Sequence, residues 1–369
     1  MKPWGLLATM LVTNLLVGGL ALLYPRIVRK GLLFGVYVGE TACDGEEAEA
    51  ITRAWNRGML LSTIACVLLG AVLSFGAPDP YAALVPVHLL LLAFFLFYFR
   101  AYFRARALAS PGPPPGAVAV LTGAPATSAV LPALTLVACV ACGLFAVAYS
   151  AAHYARLPGT VPTHFGPSGA PDAWRPKSFF TVMLLPIMVL VVGAFLGAMA
   201  WLTAHAKRAL RRSAVEASLH AQMRFRAAMT RFLCAVAWLA VGMLTLISVF
   251  SVRVGLGEAK GLPVLVNVLG ILVGVFAVGG SIYIALRYGQ GGARLEKARA
   301  DTPLTNGLAD DRNWVLGMFY VNRDDPSFLV ERRFGLGYTL NFGNRKAVVL
   351  LAGFIGLILV LTAVAIVTN

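Results

Sequence analysis

Long apolar runs alternate with polar stretches along the chain, at residues 4–24, 58–75, 81–98, 128–151, 179–202, 232–252, 262–286 and 347–367. Each is close to the ~20 residues that an α-helix needs to cover the hydrocarbon of a bilayer. The pattern predicts an all-α polytopic membrane protein of about eight transmembrane helices. Four runs precede and four follow a polar central loop, residues 157–177, LPGTVPTHFGPSGAPDAWRPK. Pro158, Pro162, Pro167 and Pro171 are expected to stiffen that loop, and Gly166 and Gly169 to turn it. The first run has no charged cluster before it and no small-residue cleavage site after it, so it reads as a retained span.

Smaller signals fill in the connections. Asp44 followed by Glu47 is a capping-box pattern, and Glu49 to Arg53 is a favourable i,i+4 pair. They predict a short cytoplasmic helix that runs into the second span. Residues 110–116, SPGPPPG, predict a stiff extended connector. Gly193 with Gly197, and Gly270 with Gly274, have the small-residue spacing that lets helices approach closely. Between the seventh and eighth runs, LGMFYVNRDDPSFLVERRFGLGYTLNFGN reads as β, with turns at 322–326 and 335–337. It is too small to stand alone and is expected to pack under the helices. The chain then divides into an N-terminal membrane region with three spans (1–127), a span–loop–span unit (128–203), a basic linker with two spans (204–286), a cytoplasmic β-rich domain (287–346) and the last span (347–369).

Composition agrees with lipid as the solvent: 59% of residues are hydrophobic, 13% are charged, and the mean hydropathy is +0.78. The net charge of +15 could suggest nucleic acid, but its distribution does not. All but six of the 31 lysines and arginines fall in alternate connections; the six are Lys2, Arg156, Arg175, Lys177, Arg253 and Lys260. That is the positive-inside asymmetry of a polytopic protein, and it puts both termini and the central loop outside the cytoplasm. Residues 205–231 are strongly basic, with Val215, Leu219 and Met223 on one helical face. They predict a helical hairpin or interfacial helix against anionic lipid headgroups. Four of the five cysteines lie inside apolar runs, and Cys139 with Cys142 reads as packing rather than as a zinc or redox pair.

Candidate chemistry is sparse. The spans hold His88 and Asn267 but no Asp or Glu, which argues against an ion-driven transporter. His88 is expected near the interface, bonded to a carbonyl. No H-E-x-x-H, G-x-S-x-G or G-x-x-x-x-G-K occurs, so no enzyme is expected. His164, Asp172 and His153 could in principle ligate zinc, but one histidine per element without tight spacing does not make a site, and neither metal nor cofactor is expected. His164 is instead expected to bond Asp172 or a backbone carbonyl of the turn. Trp174 is expected at headgroup level.

Two stretches carry a resemblance. The first, with Pro162, His164, Phe165, Gly169, Pro171, Asp172, Trp174 and Lys177, resembles the signature of an uncharacterised loop-plus-helix domain. That domain also occurs in membrane immunity proteins of the sporulation-delaying toxin system. The second, with Trp314, Tyr320, Asn322, Asp324, Asp325, Pro326, Gly337 and Asn341, resembles another uncharacterised domain that often accompanies the first. The chain departs from those immunity proteins in its greater length and in carrying the second domain. The resemblance implies a multi-pass protein of the bacterial inner membrane and, by analogy, immunity or signalling. The expected role is therefore a non-enzymatic sensor or immunity-like protein. Its outer loop would meet an extracytoplasmic ligand or peptide, and its inner segments would meet anionic lipid and a cytoplasmic protein partner. The alternative is a transporter or exporter of an amphipathic small molecule, working in the gap between two four-span halves.

Overall fold

A computed structural model describes residues 3–76, 82–110, 129–206, 215–295, 310–333, 335 and 337–367. In chain order the helices are α1 (Pro3–Ile27), α2 (Glu40–Cys43), α3 (Glu46–Gly76), α4 (Val85–Ala107), α5 (Val130–His153), α6 (Phe179–Ala204), α7 (Val215–Gly255), α8 (Val264–Tyr288) and α9 (Arg345–Val367). All except α2 are long and apolar enough to cross a membrane, giving eight candidate spans among the described residues. The chain is a multi-pass membrane protein with an all-α framework. The strands among the described residues form four small antiparallel hairpins: β1 (Leu32–Leu33) with β2 (Val36–Tyr37), β3 (Thr160–Phe165) with β4 (Pro171–Pro176), β5 (Trp314–Val315) with β6 (Phe319–Tyr320), and β7 (Leu329–Glu331) with β8 (Tyr338–Leu340).

The helices pack as three and five, not four and four. α1, α3 and α4 form one bundle, and α5, α6 and α7 form a second against which α8 and α9 lie. The fourth span belongs with the second bundle because α5 and α6 meet along glycines. Gly143 sits against the Leu190 backbone, Gly193 against the Cys139 carbonyl and Gly197 against Leu136, with no room for a Cβ at any of them. The second glycine pair is not used this way, since Gly274 faces open space. Cys139 is buried in the same α5–α6–α7 core, and all five cysteines are free thiols.

Three other expectations change. The central segment is a β-hairpin, because β3 and β4 pair across a turn closed by Gly166 N–H to the Ala170 carbonyl at 2.9 Å. The helix expected to begin at Asp44 begins at Glu46, with Asp44 in the preceding turn, where it meets Lys30 at 3.8 Å. The Glu49–Arg53 pair is present at 2.8 Å. From Val215 on, the basic stretch is continuous with the sixth span: α7 is one helix of 41 residues. At 1.5 Å per residue that is about 60 Å, roughly twice the hydrocarbon thickness, so the helix continues well beyond the apolar layer. Lys207, Arg208, Arg211, Arg212 and residues 111–116 of the connector lie outside the described residues.

Alternation of helix direction puts the β3–β4 hairpin at one end of the molecule and the other three hairpins at the opposite end, in what we call the basal layer. Arg29, at the end of α1, is buried there; its backbone N–H donates to Gln290 Oε1 at 3.0 Å and its side chain lies 3.7 Å from Glu331. Arg333, also buried, donates to the Gly35 carbonyl at 3.1 Å, pairs with Asp311 and stacks 5.0 Å from the Trp314 ring. Gly35 and Gly317 approach backbone to backbone, both with φ near +75° (81° and 67°), which only glycine takes without strain. The β-rich segment does pack under the helices, though its strands are only two or three residues long.

Candidate functional site

The hairpin is held to the bundle at both ends. At its base, Lys177 N–H donates to the Gly159 carbonyl at 2.8 Å, and Lys177 Nζ donates to the Leu157 carbonyl at 2.8 Å and lies 4.9 Å over the Tyr154 ring. Leu157 and Val161 then bury against Val182, Met183 and Val252 of α6 and α7. At its tip, Gly169 takes φ +81° and its carbonyl accepts from Leu262 N–H at 2.8 Å. Asn267 of α8 donates from Nδ2 to the Pro167 carbonyl at 3.0 Å. Asn267, a polar residue of the seventh span, thus anchors the turn. Ser251 of α7 donates to the Pro162 carbonyl at 3.3 Å in the middle of β3. A two-stranded ribbon that would be marginal alone is fixed by three helices.

His164 and Asp172 face each other across the ribbon, with Nδ1 and Oδ1 2.5 Å apart, both exposed. The side-chain partner, rather than a turn carbonyl, is the one His164 takes. A register shift between Pro162 and His164 lets this happen, since it pairs His164 with Ala173 and leaves Asp172 beside it. Trp174 pairs with Pro162 and remains half exposed. His153 bonds the Tyr149 carbonyl at 2.8 Å, and among the described residues no three His, Cys, Asp or Glu side chains gather as a metal would require. His88 bonds the Leu84 carbonyl at 2.7 Å, as its place near a span end suggests.

Beneath the ribbon lies a cavity of about 610 Å³, between β3–β4 and the facing sides of α6 and α7. Its helical wall is apolar, with Phe180, Leu184, Leu185, Met188 and Ile247, while His164, Thr163 and Arg175 stand at the ribbon side. Ser248 also lines it. That hydroxyl is buried and finds no hydrogen-bond partner among the described residues. The arrangement suits an amphipathic molecule: chain along the helices, polar end at the ribbon. Phe180, Ser248 and Ser251 carried no signal of this in the sequence, because a serine and a phenylalanine in apolar helices look like ordinary packing.

The second set of candidate residues forms a structural knot in the basal layer. Asn341 is fully buried and donates to the carbonyls of Asn322 and Asp325, each at 2.8 Å, while its Oδ1 accepts from the N–H of Asn322 and of Gly343. Asp324 N–H donates to Asn322 Oδ1 at 2.9 Å and Ser327 N–H to Asp325 Oδ1 at 3.0 Å, the Asx bonds that the NRDDP turn predicts. Tyr320 donates to Asp325 Oδ2 at 3.0 Å, and burial with that carboxylate pushes the phenol up to about 12. Pro326 offers its carbonyl to Asn344, Gly337 takes φ +87°, and Trp314 packs on Tyr320. The turn does not set the register of the strands beside it, because β6 and β7 are not partners; Asn341 does, through the Tyr320–Asn341 bridge that joins the two hairpins. These residues hold the layer together.

Comparison with known proteins bounds the class. Residues 142–190 match a family described as a domain of unknown function, DUF1648, and residues 323–348 match a family of unknown function, DUF5808. The first covers the end of α5, the hairpin and the start of α6; the second covers the Asn341 knot and the start of α9. No curated protein and no solved structure matches the chain.

Proposed function

We propose that this chain is a non-enzymatic receptor of the bacterial inner membrane, a sensor or immunity-like protein whose hairpin end faces outward and takes up an amphipathic ligand. The observation that carries the reading is the cavity under the ribbon, apolar along α6 and α7 and polar at Thr163, His164 and Arg175. The buried Ser248 hydroxyl gives a ligand a polar group to satisfy. The gathering of basic residues at the basal end supports the orientation, with both termini outside, and the resemblance of the hairpin signature to immunity proteins supports the extracytoplasmic role.

The test is to identify what co-purifies with the full chain from its own membrane in mild detergent, and to repeat it with Ser248→Trp. An amphipathic compound held near one per chain, and lost in S248W at unchanged thermal stability, is the expected result. Only bulk phospholipid, or equal retention by the variant, would refute the reading. Flux of the retained compound through vesicles containing the protein would move the assignment to transport.

A further inference from the structure

A cleft at the opposite end of the molecule collects arginines from two helices. It has a volume of about 430 Å³ and lies between the first turns of α3 and the last turns of α4. Arg53 and Arg57 reach it from α3, and Arg100 and Arg104 from α4. Each pair is spaced i,i+4 and so shares one face of its helix, and all four side chains line the cleft while staying exposed. Arg53 is paired with Glu49 at 2.8 Å. Among the described residues Arg57, Arg100 and Arg104 have no carboxylate within ion-pairing distance. Like charges at this spacing repel, so the cleft concentrates positive charge that its own side chains leave uncompensated.

The depth of the cleft matches the boundary between headgroup and hydrocarbon. α3 has 31 residues, about 46 Å, against a hydrocarbon of about 30 Å. From Gly58 to its end, α3 carries no charged residue, so Arg57 marks the edge of the apolar layer. The wall beyond that edge is made of Gly58, Leu61 and Phe97. Gly58 lets the Phe97 ring lie against the α3 backbone, and a Cβ there would collide with the ring. The cleft thus has cations at headgroup depth and an apolar wall immediately below them.

We infer that this cleft is a specific site for an anionic phospholipid carrying two phosphates, with the phosphates on Arg57, Arg100 and Arg104 and acyl chains against Leu61 and Phe97. Arginine matches phosphate geometry through paired N–H groups, and basic pockets between membrane helices are where such headgroups lodge. The cleft is separate from the cavity beneath the ribbon and does not depend on what that cavity binds.

The experiment titrates the full-length protein in detergent with cardiolipin and, separately, with phosphatidylglycerol, and counts retained lipid by native mass spectrometry. Wild type is expected to retain one cardiolipin in preference to phosphatidylglycerol. Arg100→Ala and Arg104→Ala should each reduce retention about fivefold. Arg106→Ala, on the same helix but outside the cleft, should leave it unchanged. Ala54→Trp fills the cleft without altering charge and should abolish retention. The inference fails if R106A weakens binding as much as R100A, which would be bulk attraction of a basic surface. It also fails if R100A and R104A bind as wild type does, or if A54W retains the lipid.

Discussion

Removing the exposed partner of the Arg333–Asp311 pair should damage the basal layer more than removing the buried one. Arg333 is 1% exposed as a side chain and Asp311 is 38% exposed. Burial pushes the Arg333 guanidinium below the usual arginine range, and Asp311 pulls it back. Arg333→Met keeps most of the stem over Trp314, frees Asp311 to water and strands only the Gly35 carbonyl, a cost of about 1–3 kcal/mol. Asp311→Ala leaves a buried cation without its carboxylate, at about 3–5 kcal/mol. A gap of about 2 kcal/mol is about 30-fold in the population of the opened layer. Asp311 also accepts from Tyr37 N–H at 3.2 Å, so Asp311→Asn, which keeps an acceptor, isolates the charge. Pulse proteolysis of the full chain across urea, reading chymotryptic cleavage at the buried Trp314 and Tyr320, measures that population. The double variant should be more stable than D311A alone, because no charge is then stranded. Equal losses in R333M and D311A, or additive loss in the double variant, would refute the reasoning.

Other expectations are more local. Asn341→Ala removes four hydrogen bonds at a fully buried position and should cost about 2–4 kcal/mol by the same proteolysis, more than Asp325→Ala, which removes the bonds from Tyr320 and from Ser327 N–H. Bonds from Arg312 hold Asp310 below the usual carboxylate range, so its contribution is complete at neutral pH and disappears as pH falls through that lowered value. Asp310→Asn should therefore be less stable than wild type at pH 7, with the gap closing below roughly pH 4. Burial pushes the Cys43 thiol up to about 11, leaving about one thiolate in a thousand at pH 8. Cysteine placed at Ser168, on the exposed ribbon tip, should accordingly react with an impermeant maleimide on intact cells far faster than Cys43 does; an unreactive Ser168→Cys that labels only in detergent would invert the proposed orientation.

The spans were legible because a segment that crosses lipid by itself must satisfy its own backbone hydrogen bonds as an apolar helix, and the run lengths show it. The ribbon was not. Pro162, Pro171 and Pro176 sit within its strands, and proline in a short run reads as a loop. They are tolerated because each strand of a two-stranded ribbon has a free edge. The continuity of α7 was hidden by its charges, which suggested a break at 231 where the helix only leaves the hydrocarbon. In the basal layer the Asx turns were readable, being local. The pairing of Arg29 with Gln290, and of Gly35 with Gly317, joins positions more than 250 residues apart and leaves no trace in either neighbourhood. The cavity had the same fate, since α6 and α7 each contribute one wall.

The basal layer also bears on receptor against exporter. An exporter that rocks one bundle against the other must part their ends alternately on each side. The basal ends are joined by Arg29 to Gln290 and Glu331, by Arg333 to the Gly35 carbonyl, and by Tyr98, whose hydroxyl lies 3.2 Å and 2.9 Å from the carbonyls of Phe34 and Leu316. Opening there would expose several buried charges together, at a cost of several kcal/mol. α7 makes the opposite demand, for transmission along a single rigid element. Ser251 near one end holds the ribbon, and near the other end Arg226 donates to the Ala204 and Ala206 carbonyls while Phe225 packs on Ile284 and Tyr338. A ligand that moves the ribbon therefore moves a helix whose far end is built into the basal layer. The charges that make parting the bundles costly are the ones that would register a shift of that helix, and a receptor needs only the shift.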